Sequence, residues 1–213
     1  MSFYQSSLIQ GLSKYSFVLL LVFSGAAFAA EPGDVVNKTM NDLVSSIEAN
    51  RAELDANPEK INDIVNELVI PRFDFKGMSS RILDKHWQAA SDAQKTEFSS
   101  EFQIFLVSFY AKALLGFSGQ TIKVVNSKKN KNGNKAIVDT EIDLGNGEKP
   151  VPVVYLMVNN NDDWQVVDVK MDGISIVKLY RGEYDSVINN EGIDGLIAKL
   201  KERNAELANK NKS

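Results

Sequence analysis

The sequence contains no cysteine and only one histidine, His86. The lack of cysteine excludes disulfide frameworks, thiolate zinc sites and cysteine nucleophiles. A single histidine leaves almost nothing for a transition-metal site, and it allows a Ser-His-Asp triad only if His86 serves it. Walker loops and the G-x-G-x-x-G, H-E-x-x-H and G-x-S-x-G patterns are also missing. We therefore expect no metal site and no cofactor.

The sequence also lacks a strong charge of either sign. It has 24 Lys and Arg residues against 28 Asp and Glu residues, a formal net charge of −4. A mildly acidic chain is a poor binder of phosphate backbones, so we expect no nucleic acid partner. The hydrophobic fraction of 44% and the charged fraction of 24% are typical of globular proteins, and 213 residues suffice for one generous domain. We expect a monomer.

The one long apolar run, residues 16–28, is shorter than the about 20 residues that span a membrane. Lys14 precedes it and Ala27-Phe28-Ala29 ends it, which is the pattern of a cleaved signal peptide. We therefore predict a signal peptide at 1–29, a single domain at 30–205 and a polar tail at 206–213, in an exported periplasmic protein. Without Lys14 the chain has 23 basic and 28 acidic residues, a net charge of −5.

The hydrophobic period changes along the chain from helical to alternating and back. Helical spacing runs from Asp34 to about Phe117, with a linking turn at residues 73–77 and a capping box at Ser91-Asp92-Ala93-Gln94. Four strands joined by short loops lie between Thr121 and Met171, and helical spacing returns from Ile174. The sequence predicts an α+β fold with an antiparallel sheet of about four strands and segregated helices.

One predicted helix carries an excess of large apolar side chains. Its stripe consists of Phe98, Phe102, Phe105, Phe109 and Phe117, widened by Leu106, Tyr110, Ala113 and Leu114. The third strand, Val151 to Val158, is apolar at nearly every position. The strands of a sheet with one solvated face should alternate apolar and polar residues more cleanly than this. Either helices cover both faces of the sheet, or one face lines an apolar cavity.

Two residues suggest an alternative function as a small periplasmic enzyme of cone-shaped fold. Asp168 lies within an apolar strand, where burial could make it an acid or base. His86 could serve as a base if an acid partner lies nearby. The competing interpretation is structural for both: Asp168 accepts backbone or arginine hydrogen bonds, and His86 is a surface or capped histidine.

Several segments together resemble the MlaC family, also called the toluene-tolerance or auxiliary-transport family. Residues 164–184, WQVVDVKMDGISIVKLYRGEY, resemble its W-x-V-x-D-V-x-x-x-G-[VI]-S-[LI]-V-x-x-[YF]-R-x-x-[FY] segment. LVIPRFDF at 68–75 and GIDGLIAKL at 192–200 resemble two further segments, as do His86-Trp87 and the stretch from Ala93 to Phe102. Order and spacing hold from about Val35 to Leu200. His86 departs from the family, whose members more often carry another residue before the aromatic one.

The resemblance implies a twisted antiparallel sheet with helices packed around a deep apolar pocket. It implies a non-enzymatic periplasmic carrier that binds a phospholipid by its acyl chains and maintains outer-membrane lipid asymmetry. The implied partners are an outer-membrane lipoprotein–porin complex and an inner-membrane ABC transporter with an MCE-domain subunit. The oversized stripe and the apolar strands then predict the residues that line the pocket. These are Phe102, Leu106, Phe109 and Tyr110 from the long helix, and Val153, Tyr155, Met157, Val167 and Val169 from the sheet.

Residues 73–77 have two interpretations. Phe73 and Phe75 lie on a predicted loop with a glycine, so the loop could open the pocket or dock a partner. The cations Arg72, Lys76 and Arg81 flank it and could pair with a lipid phosphate or with acidic partner residues. The alternative is that both phenylalanines plug one end of the core.

Overall fold

The computed structural model describes residues 30–117, 119–145 and 147–211. The predicted signal peptide at 1–29 lies outside them. Six α-helices occur in this part of the chain, accompanied by short 3₁₀ turns at Pro58–Lys60, Ile70–Arg72 and Asp84–His86. The helices are α1 (Pro32–Ala49), α2 (Arg51–Ala56), α3 (Ile61–Leu68), α4 (Phe75–Leu83), α5 (Asp92–Leu115) and α6 (Ile176–Asn211).

The strands form one antiparallel meander between α5 and α6. They are β1 (Thr121–Lys129), β2 (Lys135–Asp143), β3 (Val151–Asn160), β4 (Asp163–Met171) and β5 (Ile174–Ser175), and their order in the sheet is their order in the chain. The α+β prediction is confirmed, with a fifth strand of two residues added to the four expected. Among the described strands, β1 is at the edge of the sheet, with a bulge at Val125 between Val124 and Asn126.

The predicted linking turn at 73–77 is wrong in part, because only Phe73 and Asp74 lie between the 3₁₀ turn Ile70–Arg72 and helix α4. Asp74 caps α4 by accepting a 2.7 Å hydrogen bond from the amide of Gly77, so Phe75 already begins the helix and Gly77 lies in its first turn. A Cβ on Gly77 would lie 2.2 Å from Oδ2 of Asp74, so only glycine leaves room for this cap. The helix ends at Leu83, because Asp84 adopts a positive φ of 48°.

The predicted capping box of the long helix is confirmed. Ser91 accepts a hydrogen bond from the amide of Gln94, and the Gln94 side chain accepts one from the amide of Ser91. The C-terminal helix α6 continues through residues 206–211 and is interrupted at Gly192, whose φ of 74° is not helical. The segments of α6 before and after Gly192 both pack against α5, through Tyr180 and Tyr184 on one side and Leu196 and Leu200 on the other.

The core consists of three clusters of buried side chains. The helical cluster joins α4, α5 and α6 around Phe98, Phe102, Phe105, Tyr180 and Tyr184. The sheet cluster joins α1 to one face of the sheet around Val138, Val153, Tyr155, Met157 and Val169. The third cluster joins α1, α2 and α3 to the C-terminal half of α5.

The two faces of the sheet differ in how much they are covered. We call the side that carries Val138, Val153, Tyr155 and Val169 the covered face, because α1 packs on it. The opposite side is the open face, where Lys128 on β1 is opposite Ile137 on β2 and Ile137 is opposite Leu156 on β3. Ile137 remains 47% exposed there. The structure therefore favours the interpretation in which one sheet face lines a cavity.

Candidate functional site

A cavity of about 470 Å³ lies on the open face, between the β1–β2 hairpin and α4. Its floor is apolar, and its rim is polar and positively charged. The floor consists of Ile137, Leu156, Val158 and Val167, and the cavity is also bordered by Ala136 and Met157, which belong to the sheet cluster. The rim consists of Arg81, Lys128, Asn130 and Lys135, and Lys129 borders it from the covered face, where it is opposite Ala136. An apolar cavity of this size with a few convergent polar groups is typical of a ligand site.

A β-bulge in β4 creates one wall of the cavity. Leu156 is opposite Asp168 and Met157 is opposite Val166, so Val167 is the extra residue with no partner on β3. A bulge redirects side chains, which is why Val166 and Val167 are both buried although they are consecutive. Val166 joins the sheet cluster, whereas Val167 lines the cavity.

The β1–β2 hairpin brings the lysines to the rim. Lys128 and Lys135 lie on neighbouring strands and on the open face, opposite Ile137 and Val158 respectively. The side chain of Asn130 accepts hydrogen bonds from the amides of Asn134 and Lys135, which fixes the turn. The ammonium group of Lys129 pairs with Glu31 at 2.8 Å, so its charge is compensated.

Arg81 contributes the cation on the opposite side of the rim. One of its guanidinium nitrogens, Nη1, donates a 2.8 Å hydrogen bond to the carbonyl oxygen of Gly77, one turn earlier in α4. Its own carbonyl oxygen accepts a hydrogen bond from Arg181. These contacts fix the position of the Arg81 side chain, while the remaining N–H groups of its guanidinium are available for an anion.

A second cavity, of about 250 Å³, lies beside α6 and differs in chemistry. Its lining alternates glutamates with cations, namely Glu183, Glu202 and Glu206 with Lys199 and Arg203. The open-face cavity has no carboxylate in its lining. Of the two, only the open-face cavity combines an apolar floor with charge of one sign.

The pocket residues predicted on α5 lie mostly in the helical cluster. Phe102 is fully buried and Leu106 nearly so, while Tyr110 packs against the same cluster. The ring of Phe109 lies 5.6 Å from that of Phe105, but Phe109 is 45% exposed. Burial raises the pKa of Tyr110. This stripe thus serves α-helical packing, with Phe109 left at the surface.

The pocket residues predicted on the sheet are divided between its two faces. Val153, Tyr155 and Val169 lie beneath α1 in the sheet cluster. Burial raises the pKa of Tyr155 to about 12, and its hydroxyl lies 3.7 Å from the sulfur of Met40. Val167 lines the open-face cavity, whereas Met157 borders that cavity but also belongs to the sheet cluster. Within the described residues, neither of the two cavities above is lined by both the α5 set and the sheet set, and their assignment to a lipid pocket stays a prediction.

Phe73 connects the two clusters and also extends the sheet. Its backbone forms a parallel bridge with Val166, and the amide of Asp74 donates to the carbonyl oxygen of Val166 at 3.0 Å. Its ring lies 5.7 Å from that of Phe75 and packs against both the helical and the sheet cluster. These contacts favour the plug interpretation of the two phenylalanines.

The three cations predicted at the mouth have separate surroundings. Arg72 is exposed and lies 3.3 Å from Asp163 at the start of β4. Lys76 is exposed on the first turn of α4. Arg81 is the one of the three that lines the open-face cavity.

Asp168 and His86, the two candidates for acid–base chemistry, both have structural partners. Asp168 is buried and accepts hydrogen bonds from Oγ of Ser175 at 2.6 Å and from the amide of Val177 at 3.1 Å. His86 shares a 2.8 Å hydrogen bond with Asp185. Hydrogen bonds from Lys85 and His86 lower the pKa of Asp185 to about 2. Within the described residues, no group of His, Asp and Glu side chains could hold a metal ion.

Sequence reasoning missed most residues of the open-face cavity. Ile137, Leu156 and Val158 were not among the predicted pocket residues, and neither were Lys128 and Lys135. One signal was available: β3 is apolar on both faces, so the side that does not face α1 needs a cover or a ligand. Which side faces α1 cannot be read from alternation alone.

The fold and the cavity define a class of α+β proteins with an apolar site on an antiparallel sheet. The MlaC protein family model matches residues 37–202, so the chain belongs to the MlaC family. It is 32% identical over 189 residues to toluene tolerance protein Ttg2D of Pseudomonas putida, covering 88% of this chain and 87% of that protein. It is 25% identical over 191 residues to the intermembrane phospholipid transport system binding protein MlaC of Haemophilus influenzae. That match covers 88% of this chain and 89% of that protein.

A solved structure is also similar. It is the phospholipid-binding protein from Ralstonia solanacearum in complex with a phospholipid, with a TM-score of 0.77 and 25% sequence identity. The similarity covers 84% of this chain and 99% of that one. The resemblance noted from the sequence motifs is therefore confirmed.

Proposed function

We propose that this protein is a periplasmic carrier that binds a phospholipid by its acyl chains and moves it between membrane complexes. The observation that carries the proposal is the open-face cavity, apolar at its floor and cationic at its rim, in a member of the MlaC family. In this proposal an acyl chain lies over Ile137, Leu156, Val158 and Val167, and the phosphate faces the rim. No covalent step is needed.

The energetics of acyl chains require transfer from one protein site to another. Two chains hold about 30 carbons, and burying each CH₂ contributes about 0.8 kcal/mol, which gives a gross gain on the order of 20 kcal/mol. Escape of the lipid into water is then negligible. Release therefore takes place in a docked complex, where the chains pass directly between apolar sites.

The proposed partners follow from that requirement. One is an outer-membrane lipoprotein–porin complex and the other an inner-membrane ABC transporter with an MCE-domain subunit, and their joint activity would maintain outer-membrane lipid asymmetry. Periplasmic location rests on the signal peptide predicted at 1–29. No helix within the described residues has the length and apolar character needed to cross a bilayer. A mature chain of net charge −5 is weakly repelled by anionic bilayers, which favours docking to proteins.

A second location for the acyl chains is an interior pocket between the helical and sheet clusters. It would be lined by the residues predicted from the sequence: Phe102, Leu106, Phe109, Tyr110, Val153, Tyr155, Met157, Val167 and Val169. Phe73 and Ile176 contact both clusters, so such a pocket would open beside them.

Extraction of the purified protein with organic solvent, followed by mass spectrometry, tests the proposal itself. We expect phospholipid in close to molar proportion. A protein from which no lipid is recovered, and which takes up none from vesicles, would contradict the carrier function. A protein that turns over a small substrate would instead favour the enzymatic alternative.

A matched pair of variants on β3 tests the location. Val158 and Val154 are both half-buried on the open face, but only Val158 lines the cavity. Val158→Trp fills part of the cavity without changing charge, and we expect it to lower copurified lipid, whereas Val154→Trp should leave it unchanged. Equal lipid content in the two variants would place the acyl chains elsewhere. A phospholipid with a photoactivatable acyl chain would then distinguish the sites by crosslinking either β2 and β3 peptides around Ile137 or α5 peptides around Leu106.

The gate interpretation of residues 73–77 is tested by charge reversal. Arg72→Glu combined with Lys76→Glu should slow lipid transfer between donor and acceptor complexes if this segment opens or docks. Both side chains are exposed, so the melting temperature should stay close to wild type. Normal transfer by the double variant would leave Phe73 and Phe75 as a plug.

A further inference from the structure

Positive charge is concentrated at one place on an acidic protein. Residues 121–138 contain five lysines and no Asp or Glu, although the whole chain has a net charge of −4. Two of these lysines, Lys128 and Lys135, stand on the open face beside the apolar floor. This basic segment therefore places two lysines beside the cavity.

The cations near the rim differ in whether a neighbouring carboxylate neutralises their charge. Lys129 pairs with Glu31 and contributes little net charge. Among the described residues, Lys128 and Lys135 have no carboxylate oxygen within 4.0 Å, and the cavity lining has none either. Arg81 donates to a neutral carbonyl oxygen and, among the described residues, has no carboxylate oxygen within 4.0 Å. Three positive charges thus surround an apolar floor.

We propose that the rim formed by Arg81, Lys128 and Lys135 selects phospholipids whose head group has a net negative charge. This inference rests on the proposed carrier function and names its substrate class. Every phospholipid has a phosphate, but a zwitterionic head group also has a cation, which the three rim cations repel. An anionic head group such as glycerophosphate meets only attraction. The apolar floor is needed as well, because the exposed cations alone bind a small anion weakly.

Competition between acyl-matched lipids measures the selectivity. Wild-type protein freed of lipid is mixed with vesicles that contain phosphatidylglycerol and phosphatidylethanolamine with the same acyl chains, and the bound lipids are quantified by mass spectrometry. We expect about a fivefold preference for phosphatidylglycerol at low ionic strength, since a basic side chain near an anionic lipid surface contributes on the order of that factor. The preference should shrink as salt is raised, because the rim is exposed.

Charge-matched double variants connect the preference to the rim. Lys128→Gln with Lys135→Gln should bring the ratio close to one while total bound lipid stays near wild type. Lys149→Gln with Lys178→Gln removes the same net charge from exposed positions outside the cavity lining, and the ratio should stay near fivefold. An equal fall of the ratio in both double variants would show a general charge effect and overturn the assignment of the rim.

The remaining outcomes separate this inference from the proposed function. A wild-type protein that binds both lipids equally would overturn the selectivity and leave the carrier function standing. A protein that binds neither lipid would overturn both. Displacement of bound lipid by millimolar inorganic phosphate would show that the rim recognises free phosphate, and would overturn the assignment to a lipid head group.

Discussion

Substitution of Asp168 tests whether its carboxylate is structural or chemical. The side chain is buried on β4 and joins the sheet to α6 by accepting from Ser175 Oγ at 2.6 Å and from the amide of Val177 at 3.1 Å. Ser175 Oγ in turn accepts from the amide of Lys178 at 3.0 Å. Together these bonds satisfy two of the free amides at the start of α6, where a negative charge is also favourable.

The expected cost of Asp168→Ala follows from those contacts. Each hydrogen bond to a charged group contributes about 1.5–3 kcal/mol, and the substitution leaves the buried amide of Val177 unpaired. We therefore expect a loss of about 4 kcal/mol. For a domain of this size, each 1 kcal/mol shifts the melting temperature by about 2–4 °C, so the variant should melt roughly 10 °C lower. Asp168→Asn retains an acceptor for Val177 and should lose about half as much.

Calorimetry and urea titration measure the loss, and lipid extraction measures function in the same samples. A structural carboxylate predicts that folded Asp168→Asn protein carries as much lipid as wild type. Two results would refute the reasoning. One is a melting temperature of Asp168→Ala within about 2 °C of wild type, and the other is a stable Asp168→Asn protein that has lost its lipid.

Three further predictions concern other positions. Gly77→Ala should cost about 1–2 kcal/mol in urea unfolding, since the new Cβ would displace the Asp74 cap, and wild-type stability would contradict the cap. Because the pKa of Asp185 is lowered to about 2, its ionised carboxylate contributes stability that is present above the unfolded pKa and is lost as pH falls from about 4 to about 2. Asp185→Asn should abolish that loss when unfolding is measured across an acid titration. Stability curves of the variant and the wild type that run parallel over this pH range would contradict the ion pairs. Phe75→Ala should lower the free energy of unfolding by about 2 kcal/mol, less than the loss at a fully buried phenylalanine, because Phe75 is half-buried. Lipid transfer should be unchanged. Slowed lipid transfer by a variant of wild-type stability would favour a gate.

Local signals in the sequence were enough to predict much of the fold. The capping box at Ser91 is a pattern of four neighbouring residues, and the β1–β2 turn is marked by Asn132-Gly133, so both depend on short-range chemistry. The change of period near Gln120 correctly separated helices from strands. The breaks at Asn50 and Gly192 were not predicted, since the apolar spacing continues across both.

The candidate site was harder to predict because it depends on which helix covers which face. Alternation correctly grouped Val153 with Tyr155, but α1 rather than α5 packs on them. The bulge at Val167 reverses the alternation within β4, and no glycine or proline marks it in the sequence. In the sequence, Lys128 and Lys135 are two lysines near a hairpin turn. Only the strand register shows that they lie opposite Ile137 and Val158.

The β1 edge of the sheet gives the hairpin lysines a further consequence, in self-association. No described strand pairs with the outer side of β1, and such an edge can recruit the same strand from another molecule. Its bulge at Val125 and the charge of Lys128 both hinder that addition, since a bulge disrupts the ladder and like charges would meet across the joint. Neutralising the β1 lysines is therefore expected to promote dimers and filaments at high protein concentration. The bulge and the charge of β1 thus both oppose the addition of a further strand at this edge.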